Sequence, residues 1–200
     1  MSIRQQVQAL WAANLAFTLA LFVPVVDLYV CDIIGFLILI RLHRGLSSDS
    51  PESFRPVRWL AFVCLACAIA ISILSSARRI NETSLSLLLL PVSLVYFGIS
   101  LLLYWQYMGG AAELAARLGA DELATHMHNS RGIYIFFSIG LLFLMSGLYQ
   151  STFPDADPND LRTALLADLM VMPAVWCLNW FFLLRPMTWL RRALPADETA

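Results

Sequence analysis

The sequence predicts an all-α polytopic membrane protein. Six transmembrane helices are expected, or five if residues 9–40 form one long kinked helix, with a short amphipathic cytoplasmic helical segment near 111–128. Three observations carry this expectation. Hydrophobic residues make up 60% of the 200-residue chain and charged residues only 14%, whereas a soluble domain carries about 25% charged residues. Several apolar runs exceed the ~18 residues needed to cross a bilayer core of about 30 Å as helix. The polar stretches between them are too short for a soluble domain, so residues 1–200 read as a single membrane domain.

The first 44 residues admit two versions. The opening, MSIRQQVQALWAANLAFTLALFV, imitates a secretory signal, with one arginine ahead of an apolar core; it is read as a retained first helix. Taken as one helix, Ala9–Ile40 would be about 48 Å long, well beyond the bilayer core. Taken as two, Ile3–Phe22 and Pro24–His43 would each be about 30 Å long. Pro24 then occupies the first helical position, where its missing N–H costs nothing. Asp27 falls in the first turn, where the helix dipole favours an anion. One helix start near the membrane surface thus explains both residues, and the six-helix version is preferred, although FVPVV lacks a turn-forming Gly, Asn or Ser.

Four later spans are expected at Trp59–Ala77, Leu85–Met108, Gly132–Phe153 and Ala164–Leu184, each free of internal basic residues. Pro91 and Pro173 interrupt two of them and are read as packing features, since neighbouring groups tolerate proline in membrane helices. Ala68, Ser72 and Ser76 form a stripe of small residues that allows close helix approach. Between the second and third of these spans, Gly119 is placed to end one short helix and Asp121 to start another. Leu114, Leu118, Leu123 and Met127 are expected to face the membrane from this interfacial pair, with Glu113, Arg117 and Glu122 toward water.

Arginine sets the orientation, and there is no lysine. The six-helix version puts Arg4, Arg41, Arg44, Arg55, Arg58, Arg117, Arg131, Arg185, Arg191 and Arg192 inside, against Arg78, Arg79 and Arg162 outside. That asymmetry obeys the positive-inside rule, and the five-helix version only moves Arg4 across. Trp59, Trp105, Trp180 and Trp189 fall near the inner boundary, where amphipathic rings prefer to sit. The expected location is the inner (cytoplasmic) membrane of a bacterium, with the C-terminus in the cytoplasm. Arg191 and Arg192 would be drawn to anionic lipid there.

An ionisable residue within a span is a functional hypothesis by default. Asp32 lies about 7 Å deeper than Asp27 at helical rise, and Asp168 sits one turn into the last span. With Arg78 and Arg79 at that level, Asp27, Asp32, Asp168, Arg78 and Arg79 form a candidate intramembrane polar cluster. A structural ion-pair set is favoured over a solute or ion site. Other chemistry is weaker. Cys64 and Cys67 make a C-x-x-C inside a span, where free cysteine behaves as a small hydrophobe; Cys31 and Cys177 have no obvious partner. His43, His126 and His128 lie in loops or at helix ends, which suits neither a membrane haem nor a metal. DADPND, residues 155–160, imitates a calcium loop but puts Asp160 where glycine is required and Leu166 where glutamate is required.

No nucleophile elbow, phosphate-binding glycine loop or kinase signature occurs. No catalytic role, cofactor or metal is therefore expected. The net charge of −1 argues against nucleic acid, which needs a basic face. The expected partners are the lipid bilayer and a membrane-protein partner or second copy of the chain. A non-catalytic accessory, scaffold or assembly subunit of a membrane complex is the leading expectation. The alternative is a small-solute or ion translocator using Asp32 and Asp168.

Overall fold

Helix α1 (Ile3–Leu19) opens a series of antiparallel helices: α2 (Tyr29–Arg44), α3 (Val57–Arg78), α4 (Ser86–Arg117), α5 (Asp121–Thr152) and the short α6 (Arg185–Arg192). The computed structural model describes residues 3–19, 29–44, 52–78, 86–152, 173–175 and 177–194. A 3₁₀ turn, Glu52–Phe54, precedes α3, and a π-helical turn, Trp180–Leu184, leads into α6. The described residues are helical, with no strand among them. Each of α1–α5 packs on the next, and α6 closes against α1, with smaller contacts to α4 and α5.

Two helical segments among the described residues, Glu52–Leu74 and Pro91–Arg117, are long and apolar enough to cross a membrane. An all-helical chain with membrane-length helices is thus present, and the count of six spans goes further than these two. The N-terminal region is a helix pair rather than one long helix. The rings of Phe17 and Phe36 lie 5.2 Å apart, whereas a continuous helix would separate these residues by about 28 Å. Gly35 makes the close approach possible, because a Cβ there would enter the Phe17 ring. Pro24 and Asp27 lie outside the described residues, as does DADPND.

The separate amphipathic pair expected near 111–128 is corrected. Helix α4 runs unbroken to Arg117, and α5 begins at Asp121 and continues to Thr152. Each has 32 residues and is about 48 Å long. Gly119, at φ +75°, makes the turn between them. Ala120 N–H reaches Ala115 O at 2.9 Å and Gly119 N–H reaches Ala116 O at 3.0 Å, the paired bonds of a Schellman cap. The leucine face also points elsewhere than expected. Leu114 and Met127 are fully buried, and Leu118 and Leu123 pack against the core.

Burial divides the molecule into two levels. Val7, Leu10, Leu39, Phe54, Met108, Leu114, Met127, Met187 and Leu190 are inaccessible or nearly so, and together they make a dense cap at one end. There Phe54 lies against Gly110, so closely that a Cβ on Gly110 would enter its ring. Above the cap the large side chains turn outward: Ile73 is 63% exposed, Leu102 56%, Phe136 74% and Phe143 73%. The change falls at Trp59 in α3, Trp105 in α4, Ile133 in α5 and Phe181 before α6, and no large exposed hydrophobe occurs on the cap side of that level among the described residues.

Candidate functional site

Asp32 is the one member of the expected polar cluster whose side chain belongs to the described residues. Asp27, Arg79 and Asp168 lie outside them, and so does the side chain of Arg78, whose backbone closes α3. The structure therefore tests one corner of that cluster. Asp32 sits in the first turn of α2, and Tyr96 of α4 donates its hydroxyl to Oδ2 at 3.2 Å. The Tyr96 ring meets Phe36 edge-on at 6.2 Å, so apolar surface borders the pair.

The same device recurs lower in the bundle, where the sequence had singled out nothing. Tyr107 donates to Asn14 Oδ1 at 2.7 Å, and the Asn14 amide donates to Leu10 O at 2.7 Å. Thr18 turns its hydroxyl back to Asn14 O at 2.8 Å. Tyr134 of α5 donates to Asn179 Oδ1 at 3.2 Å. Tyr104 reaches the carbonyl of Phe182 at 3.5 Å, inside the π turn. The rings of Tyr104 and Tyr134 lie 3.9 Å apart, and those of Tyr104 and Tyr107 meet at right angles at 5.6 Å. Tyr96, Tyr104 and Tyr107 are 8 and 3 residues apart, a spacing that puts them on one helix face. That spacing was the available signal. Each phenol donates to an oxygen on another element, which fixes helix register in a low-dielectric interior.

A third group marks the level where burial changes. Arg131 is 8% exposed and lies over the Trp105 ring at 4.5 Å. Its Nη1 donates to Trp105 O and its Nε to His128 O, each at 3.4 Å, and Nη2 meets the His128 ring. Burial draws the Arg131 guanidinium below its ordinary value, while Tyr104 and Glu113 oppose that shift. Arg191 covers Trp11 at 4.6 Å, Arg185 covers Trp189 at 4.6 Å, and Arg58 lies over Phe62 at 5.9 Å. Trp11 also donates to Thr188 at 3.4 Å, joining α1 to α6.

The remaining expectations separate cleanly. Cys64 is buried and Cys67 half-buried one turn apart in α3, both as free thiols. His126 stacks near Trp189 at 5.8 Å, and both line an open cavity of about 750 Å³ with Asp121, Glu122 and Leu123. No group of three or more metal-capable side chains converges among the described residues. Nowhere in these three groups do a nucleophile, a base and an oxyanion-stabilising pair come together; the arrangement ties helices to one another and sets arginines against aromatic rings, at the level where burial changes and on its cap side. No protein-family model matches the chain, and no curated protein or solved structure matches it either.

Proposed function

We propose that the chain is an integral protein of a bacterial inner membrane that acts without catalysis, as an accessory, scaffold or assembly subunit of a membrane complex. The observation that carries this reading is the division at the Trp59–Trp105–Ile133 level, with outward apolar side chains on one side and a packed cap on the other. A bilayer core of about 30 Å would cover the apolar part of α4 and α5 and leave roughly 18 Å of each helix in water. The cap formed by those overhangs is densely packed, which suits a docking platform. Arg4, Arg41, Arg58 and Arg117 lie near its helix ends, with Arg55 just before α3 and Arg131 within α5, so by the positive-inside rule it and the C-terminus would face the cytoplasm. The interior polar groups support the same reading, because Asn14, Asp32 and Asn179 each accept a tyrosine hydroxyl.

The test is recovery of the tagged chain at native expression in lipid nanodiscs, with co-purifying proteins identified by mass spectrometry. A stoichiometric membrane-protein partner is expected. Particles containing this chain alone would overturn the subunit reading.

A second reading draws on Asp32, a carboxylate in an apolar setting with a phenol partner on a neighbouring helix. In it, Asp32 and Asp168 carry a small solute or ion through the bundle, in keeping with the functional bias of intramembrane carboxylates. Unchanged uptake and efflux after joint replacement by Asn would eliminate it.

A further inference from the structure

The outward side of the last helix carries a row of two aromatic rings with an arginine between them; Trp189 also meets His126 of α5 at 5.8 Å. Phe181, Arg185 and Trp189 are spaced i, i+4, i+8, so they lie one above another on one face. The Arg185 guanidinium lies 5.9 Å from the Phe181 ring and 4.6 Å from the Trp189 ring. Arg192, seven residues on, shares this face and is exposed. The opposite face of α6 is buried through Met187 and Leu190, both at 0% exposure, which fixes how the row is aimed. Arg185 is exposed, and its guanidinium lies against these two rings.

We infer that this row is a binding site for the phosphate headgroup of an anionic phospholipid. The inference rests on the membrane reading above and goes beyond it by naming a residue-level site and its ligand. A guanidinium held against aromatic rings keeps its edge N–H donors for planar, bidentate contact with phosphate oxygens. The site's height selects lipid as the phosphate source. Phe181 is 52% exposed and is the last outward apolar side chain before the cap, about 6 Å above Arg185 at helical rise. Acyl chain would therefore pass Phe181 while the phosphate meets Arg185, and Arg192 adds a second positive charge toward the water side.

The experiment uses the full chain in neutral detergent, with native mass spectrometry reading retention of phosphatidylglycerol against phosphatidylcholine of identical acyl chains. The wild-type chain is expected to prefer the anionic lipid by about tenfold. Arg185→Gln should abolish the preference, and Arg185→Lys, which keeps the charge without the planar fork, should lower it at least about threefold. Arg55→Gln removes an exposed arginine at the same end, paired with Glu52 at 3.7 Å, and should leave the preference within about twofold. Full retention by the lysine variant, or an equal loss in Arg55→Gln, would overturn the site in favour of diffuse attraction. Displacement of the lipid by millimolar inorganic phosphate would overturn the lipid assignment. Failure of the membrane reading would show separately, as a wild-type chain that stays in solution without detergent.

Discussion

Asn14 places a side-chain amide in an interior otherwise made by residues such as Val7, Leu10 and Ala13. Such a group costs free energy unless it is hydrogen-bonded, and Tyr107 supplies the bond from α4, 93 residues away in sequence. Removing one partner is worse than removing both, because the survivor is left buried and unpaired. Asn14→Ala should therefore cost about 1–3 kcal/mol and Tyr107→Phe about 1 kcal/mol, with the double variant costing less than the sum. Equilibrium unfolding in mixed micelles reads all three, and strict additivity would show that the bond contributes nothing. A reader of the sequence sees the tyrosines at 96, 104 and 107 but cannot choose their acceptors. The choice depends on where α1, α2 and the π turn come to rest against α4, which is long-range packing. Asp32 was legible because a carboxylate in an apolar run stands out by type alone; its partner Tyr96, 64 residues away, was not.

Helix α4 shows how glycine position decides the sign of a substitution. A Cβ on Gly110 would enter the Phe54 ring, while a Cβ on Gly98 would meet nothing within 4 Å. Gly110→Ala should therefore destabilise by about 1–3 kcal/mol through overpacking. Gly98→Ala should stabilise by about 0.5–1 kcal/mol, since helix-interior glycine carries an entropic penalty without a packing role there. Thermal melting of the two variants side by side should show shifts of opposite direction, and a matching loss in both would refute the close approach of Phe54. Gly119, left-handed at φ +75°, should cost about 1–2 kcal/mol on replacement by alanine. The turn at Gly119 and the helix start at Asp121 were readable because capping is local chemistry. The length of α4 and α5 was not. The segment 111–128 has an apolar face that suits a membrane surface and a protein core equally well. Phe54, arriving from a 3₁₀ turn more than 50 residues earlier, is what makes it a core.

At the scale of the molecule, the membrane reading starts from composition, and the structure adds the level at which a bilayer would end. Exposed Phe136 and Phe143 would be a severe aggregation liability in water, but in a bilayer they cost nothing. In that reading the Arg131–Trp105 pair would sit where amphipathic rings and snorkelling cations prefer to be. Cys177 turns this into a measurement. It is exposed and free, and it lies four residues before Phe181, about 6 Å into the apolar level at helical rise. Only the thiolate reacts with maleimide, and a thiolate needs water. In native membrane vesicles Cys177 should thus resist a membrane-impermeant maleimide, although it is exposed among the described residues. After unfolding in detergent it should react fully. A cysteine placed at exposed Glu122, in the cap, should react in inverted vesicles without unfolding and should stay protected in right-side-out ones. Peptide mass spectrometry distinguishes Cys177 from Cys64 and Cys67 within the same chain. If Cys177 reacts in vesicles as fast as the Glu122→Cys site, its apolar surroundings are wet, and the outward hydrophobic face belongs against another protein rather than lipid.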